Sequence, residues 1–383
     1  MEDRGTAELR KLFINVENSV NLAACSQGAL LFTVRNSFQK YLDDQVEFGN
    51  PWDIWSQKAK EFQKIISRLI NAREDEIAVQ SSVSSSYSSL LSSFDFKPGD
   101  NILTNDLEYP TTNFISLAQE RRGAKVITVR NINGEISPEN IEENLNTHTR
   151  LVTSNHVSSL NGFKMDVENI AKKAHENNSF IYVDAYQSLG AMNVDIRKLD
   201  VDFLASGTLK WLLGASGVAF LYVKGEIAEG LEPTDIGWFS QSNPFKFGAN
   251  ELNYAAGANR FQSGTWSIPS LYASIEGGRT IMEVGVRRIE RKIRNLTDYT
   301  IHQLSNHGFS IMTPMDHHKR GGIIAINMIS PERVEKILRE KYKIFTSARG
   351  NALRIAPHFY NTMGDIDTFV QVLKDNFRDA RHA

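Results

Sequence analysis

The sequence predicts an α/β fold: a large domain built on a mostly parallel sheet, with a smaller α+β module at its C-terminal end. Three observations carry this. Short, β-branched apolar runs recur between residues 75 and 185, and amphipathic helical patterns lie between them. The rhythm gives way after about residue 225 to a stretch rich in aromatics and glycine. From about residue 320, strand and helix patterns alternate again at closer spacing.

The predicted strands are "DEIAVQ" (75–80), "DNILTN" (100–105), "AKVITVR" (124–130), "RLVTSNHV" (150–157) and "SFIYVDA" (179–185). Runs of this kind suit strands buried on both faces. The serine cluster "SSVSSSYSSLLSS" (81–93) keeps Val83, Tyr87, Leu90 and Leu91 at helical spacing, so it reads as the start of a helix. "SPENIEENL" opens with Ser137 as N-cap and Pro138 at the first helical position. "DVENIAKKAHENN" (166–178) follows the same logic. Residues 270–308 read as long helix, with a break expected near Gly277 and Gly278. The C-terminal order is "GGIIAINM" strand, "SPERVEKILREKY" helix, "LRIAPHF" strand and "NTMGDIDTFVQVLKDNF" helix.

Composition narrows the functional classes. The 383 residues are 41% hydrophobic and 23% charged, with a formal net charge of -2, so no global field favours nucleic acid or an anionic membrane. The uncharged run from Leu212 to Val223 is too short to span a bilayer, and "MEDRGTAELRKLF" carries no secretory apolar core. One cysteine, Cys25, leaves no internal disulfide and no multi-cysteine metal site. The histidines show no metal-ligand spacing; His317 and His318 precede Lys319 and Arg320 in what reads as a solvated loop. These features predict a soluble, cytoplasmic protein without a metal.

The chemistry concentrates in three places. In "VDFLASGTLKWLLGASGVAFLYV" (201–223) only Asp202 and Lys210 are charged. A lysine there either snorkels its head to water or serves as a desolvated, reactive amine. Asp184 ends a predicted strand in "YVDAYQS", with Gln187 three residues on; a carboxylate at that place caps a helix or meets a ligand. Ser81 and Ser82 follow "EIAVQ" and open a helix, where backbone N–H groups favour phosphate. Together these are the needs of pyridoxal 5'-phosphate: a lysine for the Schiff base, an acid for the pyridine nitrogen and a phosphate cradle.

In "HVSSLNG", "YVDAYQSLGAMNVDIRKLDVDFLASGTLKWLLGASGVAFLYV" and "FQSGTWSIPSL" the sequence resembles the class V aminotransferase and cysteine desulfurase group of fold-type I pyridoxal-phosphate enzymes, over nearly its whole length. The resemblance implies Lys210 as Schiff-base lysine, Asp184 on the pyridinium nitrogen and Gln187 on the ring oxygen. It implies Tyr109 flat on the cofactor, and Ser82 and Val83 on the phosphate. Thr265 would reach the phosphate of a neighbouring subunit, making a homodimer with a shared site. Arg354 would clamp the substrate α-carboxylate. Residues 23–285 would form the large cofactor domain, and 1–22 with 286–383 the small one.

Two departures stand out. Relatives carry histidine or tyrosine before the lysine, where this chain has Leu209, so a contact is lost or passes to Ser206 or Thr208. The segment "YKIFTSARGNALRIAPHF" has no cysteine, which speaks against desulfurase activity by the usual route. Cys25 lies in "NLAACSQGALL", a segment resembling one that folds over the site, and reads as a small buried hydrophobe. "IGWF" (236–239) hints at kynureninase-like or epimerase-like branches. The expected function is an aminotransferase or lyase acting on a free α-amino acid. An isopenicillin N epimerase-like epimerase and a non-catalytic dimeric scaffold are the alternatives.

Overall fold

The computed structural model describes residues 4–248, 250–377 and 380. A helix at Arg4–Arg10 and a two-residue strand, β1 (Val20–Asn21), precede two long helices, Phe32–Phe48 and Trp52–Ile70. The central sheet then contains β2 (Ile77–Gln80), β3 (Asn101–Asn105), β4 (Lys125–Val129), β5 (Thr149–Asn155), β6 (Phe180–Asp184), β7 (Phe203–Gly207) and β8 (Ala219–Val223). Its order is β2-β8-β7-β6-β5-β3-β4. Every pair from β4 to β7 is parallel, and β8 runs antiparallel between β7 and β2. All residues of β3, β7 and β8 are buried, as their apolar runs require.

The reversal at β8 has a simple cause. Residues 208–218 separate β7 from β8, too few for the crossover of a dozen or more that a parallel neighbour needs. The chain therefore doubles back at the carboxyl end of β7, and Lys210 sits in that turn.

The helical expectations hold in kind and shift in detail. Ser82, Ser137 and Asp166 cap the helices Val83–Ser92, Pro138–Glu142 and Val167–Glu176 with their side chains. The break in the long helical stretch falls at Gly285 (φ 87°), between Ile268–Val284 and Val286–Asn306, and not at Gly277 or Gly278. Gly277 instead permits close packing: a Cβ there would lie 2.3 Å from the Leu212 carbonyl oxygen.

The C-terminal part adds a three-stranded antiparallel sheet, ordered β11-β12-β9, from β9 (Ile324–Asn327), β11 (Ser347–Arg349) and β12 (Ala352–Ile355). The short β10 (Ile344–Phe345) pairs in parallel with β1, joining the two ends of the chain. Its own apolar core gathers Leu22, Leu296, Ile326, Leu338, Leu353 and Phe369. Helix Val286–Asn306 bridges two cores: Ile289 and Ile293 pack with the central sheet, Leu296 and Leu304 with the terminal module. Phe13 and Val16 also belong to the central core.

Candidate active site

A cavity of about 300 Å³ opens at the carboxyl ends of β5, β6 and β7. Of the residues singled out in the sequence, Ser82, Val83, Tyr109, Asp184, Gln187, Lys210 and Arg354 all line it, with Cys25 and Leu209.

Lys210 is held by its backbone. The Gly28 N–H donates to the Leu209 carbonyl at 3.2 Å, and a Cβ on Gly28 would lie 2.5 Å from the Lys210 carbonyl oxygen. Only glycine lets the N-terminal segment cross the turn so closely. The Lys210 amine has no hydrogen bond or ion pair among the described residues; it lies 3.9 Å from the centre of the Tyr186 ring and 5.8 Å from that of Tyr109. Burial pulls its pKa down to about 8; the Asp184 charge opposes this, and Arg354 and Arg349 add to it.

Asp184, at the end of β6, accepts a hydrogen bond from the Tyr186 N–H at 2.8 Å. Burial raises its pKa, against the pull of that hydrogen bond and of Lys210. Beside it in register on β5 is Asn155, whose amide oxygen and nitrogen are both buried without a partner at the cavity wall. Behind Tyr109, the buried Glu108 also has no partner for either carboxyl oxygen. Its pKa is driven well above the carboxylate range, first by burial and then by Asp184.

Gln187 is fixed by a relay. His358 is buried and its pKa falls to about 4, so it is neutral. Phe359 N–H donates to its Nδ1 at 2.8 Å, which leaves Nε2–H to donate to the Trp211 carbonyl at 3.0 Å. Trp211 Nε1–H donates to Gln187 Oε1 at 2.9 Å, and Gln187 Nε2 donates to the Cys25 carbonyl at 2.9 Å. One Gln187 N–H remains for a ligand.

At the start of helix Val83–Ser92, Ser82 spends its groups internally. Its N–H donates to Ser85 Oγ and its Oγ accepts from the Ser85 N–H, both at 3.0 Å. The first-turn amides of Val83 and Ser84 have no intrahelical acceptor and are the ones open to an anion. Tyr109 caps helix Pro110–Ala118, its ring 44% exposed at the cavity mouth.

Arg354 on β12 is buried, with 3% exposure. Its guanidinium donates to the Ser159 carbonyl, to the Ser347 carbonyl at 3.4 Å and to Ser347 Oγ at 2.7 Å. No carboxylate pairs with it among the described residues.

One expectation needs correction, and two residues are placed in more detail. Ser206 and Thr208 do not take over from Leu209. Ser206 Oγ donates to the Gly207 carbonyl at 3.3 Å, and Thr208 Oγ1 to the Ala215 carbonyl at 2.9 Å; neither lines the cavity. Ser206 lies within β7 and Thr208 just beyond it, where its hydroxyl also meets Ser274 Oγ at 2.8 Å. Thr265 is exposed and lies outside this cavity. Cys25 is buried as expected, in the central core and at the cavity wall. Sequence reasoning passed over Tyr186, Asn155, Ser159 and Arg349, which also line the cavity. Tyr186 was within reach, since it stands between Asp184 and Gln187.

An unbonded, desolvated lysine, a buried acid, orphaned Asn155 and open helix amides fit pyridoxal 5'-phosphate. The comparisons agree. The family model "Aminotransferase class-V" matches residues 53–369. The chain belongs to the class V aminotransferase family.

Among class V relatives, it is 32% identical to an uncharacterized aminotransferase, YcbU, of Bacillus subtilis over 93% of this chain and 94% of that protein. It is 31% identical to a kynureninase of Shouchella clausii, over 98% and 92% of the two chains. A cysteine desulfurase structure from Thermococcus onnurineus superposes with a TM-score of 0.86, at 23% identity, over 96% and 97%. The fold is therefore fold type I, and the cofactor of this class V member is pyridoxal 5'-phosphate. The expectation against a desulfurase is not borne out: proteins named cysteine desulfurase are among those it is similar to. No helix of the described residues is long and apolar enough to cross a membrane.

Proposed function

We propose that this class V enzyme is an aminotransferase acting on a free α-amino acid. The observation that carries the reading is the pairing of a desolvated lysine amine with a buried arginine that lacks a carboxylate, in one cavity. When bound, the cofactor supplies an electron sink for negative charge at the substrate Cα. Asp184 holds a proton on the ring nitrogen. Gln187, its Oε1 locked by Trp211, offers its remaining N–H to the ring oxygen. The amides of Val83 and Ser84 take the phosphate. Arg354 receives the α-carboxylate and so orients the substrate. The Lys210 amine, with a pKa of about 8, is neutral often enough near neutral pH to take the α-proton on Nζ and hand it on away from Cα, which transamination requires.

A lyase outcome is the second reading, favoured by the 31% identity to a kynureninase. The same proposal divides the chain into a large unit (23–285) and a small one (1–22 and 286–383), supported by the β1–β10 pairing. It also makes the enzyme a homodimer. Exposed Thr265 would serve the cavity of a second copy, and Phe38, Leu42 and Val46 on helix Phe32–Phe48 offer an exposed apolar face.

The test is to incubate cofactor-loaded protein with single amino acids, with and without a 2-oxo acid. A new amino acid formed only when the oxo acid is present, and lost in Lys210→Ala, supports transamination. Release of ammonia or a cleaved side chain without the oxo acid supports the lyase. Turnover surviving Lys210→Ala removes the lysine from its role.

A further inference from the structure

The Proposed function leaves one cavity cation without employment. Lys210, Arg354 and Arg349 all line the cavity, against a single lining carboxylate, Asp184. Arg349 ends β11, at the exposed rim. Its guanidinium bonds only the Ala348 carbonyl, at 2.8 Å, and it has no carboxylate partner among the described residues.

The strand register aims it. In the antiparallel pair β11–β12, Ser347 lies opposite Arg354 and Arg349 opposite Ala352. Opposed residues share a face of the sheet, and so do residues two apart on one strand. Arg349, Ser347 and Arg354 thus point the same way, towards the cavity they line. Arg349 and Arg354 are diagonal neighbours, with Cα positions separated by about 7–8 Å in such a ladder. Arg354 is buried and Arg349 is at the mouth. An extended ligand anchored on the first reaches the second.

We propose that Arg349 is a specificity residue that binds a second anionic group, so that the preferred substrate is an α-amino acid with a carboxylate on its side chain. This rests on the reading of Arg354 as the α-carboxylate anchor. The charges agree: with the phosphate on the helix amides and Asp184 engaged on the ring, two arginines still face open space. A neutral side chain would leave Arg349 in water, at no loss and no gain. A side-chain carboxylate would gain a charge-assisted hydrogen bond in a partly water-excluded mouth. Because Arg349 is exposed and makes no side-chain contact holding the fold, replacing it tests recognition without threatening folding.

The experiment is calorimetry on the cofactor-loaded enzyme with unreactive acids: succinate and glutarate against butyrate. The expected result is that a dicarboxylate binds about tenfold tighter than butyrate at low ionic strength, the factor shrinking with added salt. Arg349→Gln should erase that gap by weakening the dicarboxylates much more than butyrate, whereas Arg354→Gln should weaken all three acids. In kinetics, Arg349→Gln should raise KM for L-glutamate or L-aspartate by much more than for L-alanine. Equal binding of mono- and dicarboxylates by the wild type, or a gap that survives Arg349→Gln, overturns the proposal. The two readings fail separately. If no amino acid perturbs the cofactor's absorbance while dicarboxylate binding still depends on Arg349, the aminotransferase reading falls and the second anchor stands.

Discussion

Replacing Lys210 with methionine should make the cofactor-free protein more stable at neutral pH. The folded protein holds this amine at a pKa of about 8, against an ordinary 10.5. Below pH 8 the lysine is charged in both the folded and the unfolded chain, and the folded chain bears the whole cost of keeping that charge out of water. A gap of roughly 2.5 pH units corresponds to about 3 kcal/mol at 1.36 kcal/mol per unit. Part of the side chain faces the cavity, so solvent screening reduces the expected gain to about 1–3 kcal/mol. The sign fixes the pH window. Between pH 8 and 10.5 the unfolded chain binds the extra proton, so wild-type stability gained from this group rises with pH. Above 10.5 the lysine is neutral in both states and the cost vanishes. Methionine fills the same stem volume and carries no charge. The assay is urea unfolding of cofactor-free wild type and Lys210→Met at pH 7 and near pH 10. A stability gain at pH 7 that shrinks at the higher pH is expected. A variant less stable than wild type at pH 7, or a gain independent of pH, would refute the desolvation argument.

Two further outcomes follow from named contacts. Gly28→Ala places a Cβ 2.5 Å from the Lys210 carbonyl oxygen, so it should cost about 1–3 kcal/mol and loosen cofactor retention, read by thermal unfolding and cofactor absorbance. Unchanged values for both would show that the crossing is not tight. Burial holds His156 and His358 at a pKa of about 4, against 6.5 in the unfolded chain. Stability should therefore fall as pH drops from 6.5 towards 4, by up to about 1.4 kcal/mol per pH unit for each. Chemical denaturation across that range checks it, and His358→Gln should have a shallower slope than wild type.

Strands β2 to β6 were legible because each is a short apolar run flanked by helical periodicity, whereas β7 and β8 lay inside the single apolar run 201–223; Ser82 and Ser137 announce their helices by capping chemistry. Lys210 and Asp184 were legible for a different reason: a charge inside an apolar run is costly unless something uses it. What was hidden depends on contacts distant in sequence. Gly277 reads as a helix breaker, yet its missing side chain is needed by Leu212, and Gly285 breaks the helix instead. Leu209 suggested that Ser206 or Thr208 substitutes, but their hydroxyls are hydrogen-bonded to backbone carbonyls away from the cavity. Nothing in the sequence singled out Arg349; the register of β11 and β12 sets it diagonal to Arg354.

The origin of each wall explains what can move independently. Asn155, Asp184 and Lys210 come from the ends of one buried sheet, whose parallel pairing fixes their spacing. Arg349 and Arg354 come from the terminal sheet. The module around that sheet meets the rest through β1–β10, the Ala23–Ala356 and Phe163–Arg320 bridges, helix Val286–Asn306, and the hydrogen bonds of Arg354 to the Ser159 carbonyl and of His358 to the Trp211 carbonyl. Cys25 and Gly28 follow β1 directly, so the segment that clasps the Lys210 turn is tied to the module that carries the arginines. A displacement of that module would shift the carboxylate anchors and the Gly28 crossing together, and would pull on the Lys210 turn through the His358–Trp211 hydrogen bond. Substrate grip and the packing over the lysine turn are thereby coupled through the terminal module, and changes in β1 or β10 should disturb amino-acid binding before they disturb the sheet.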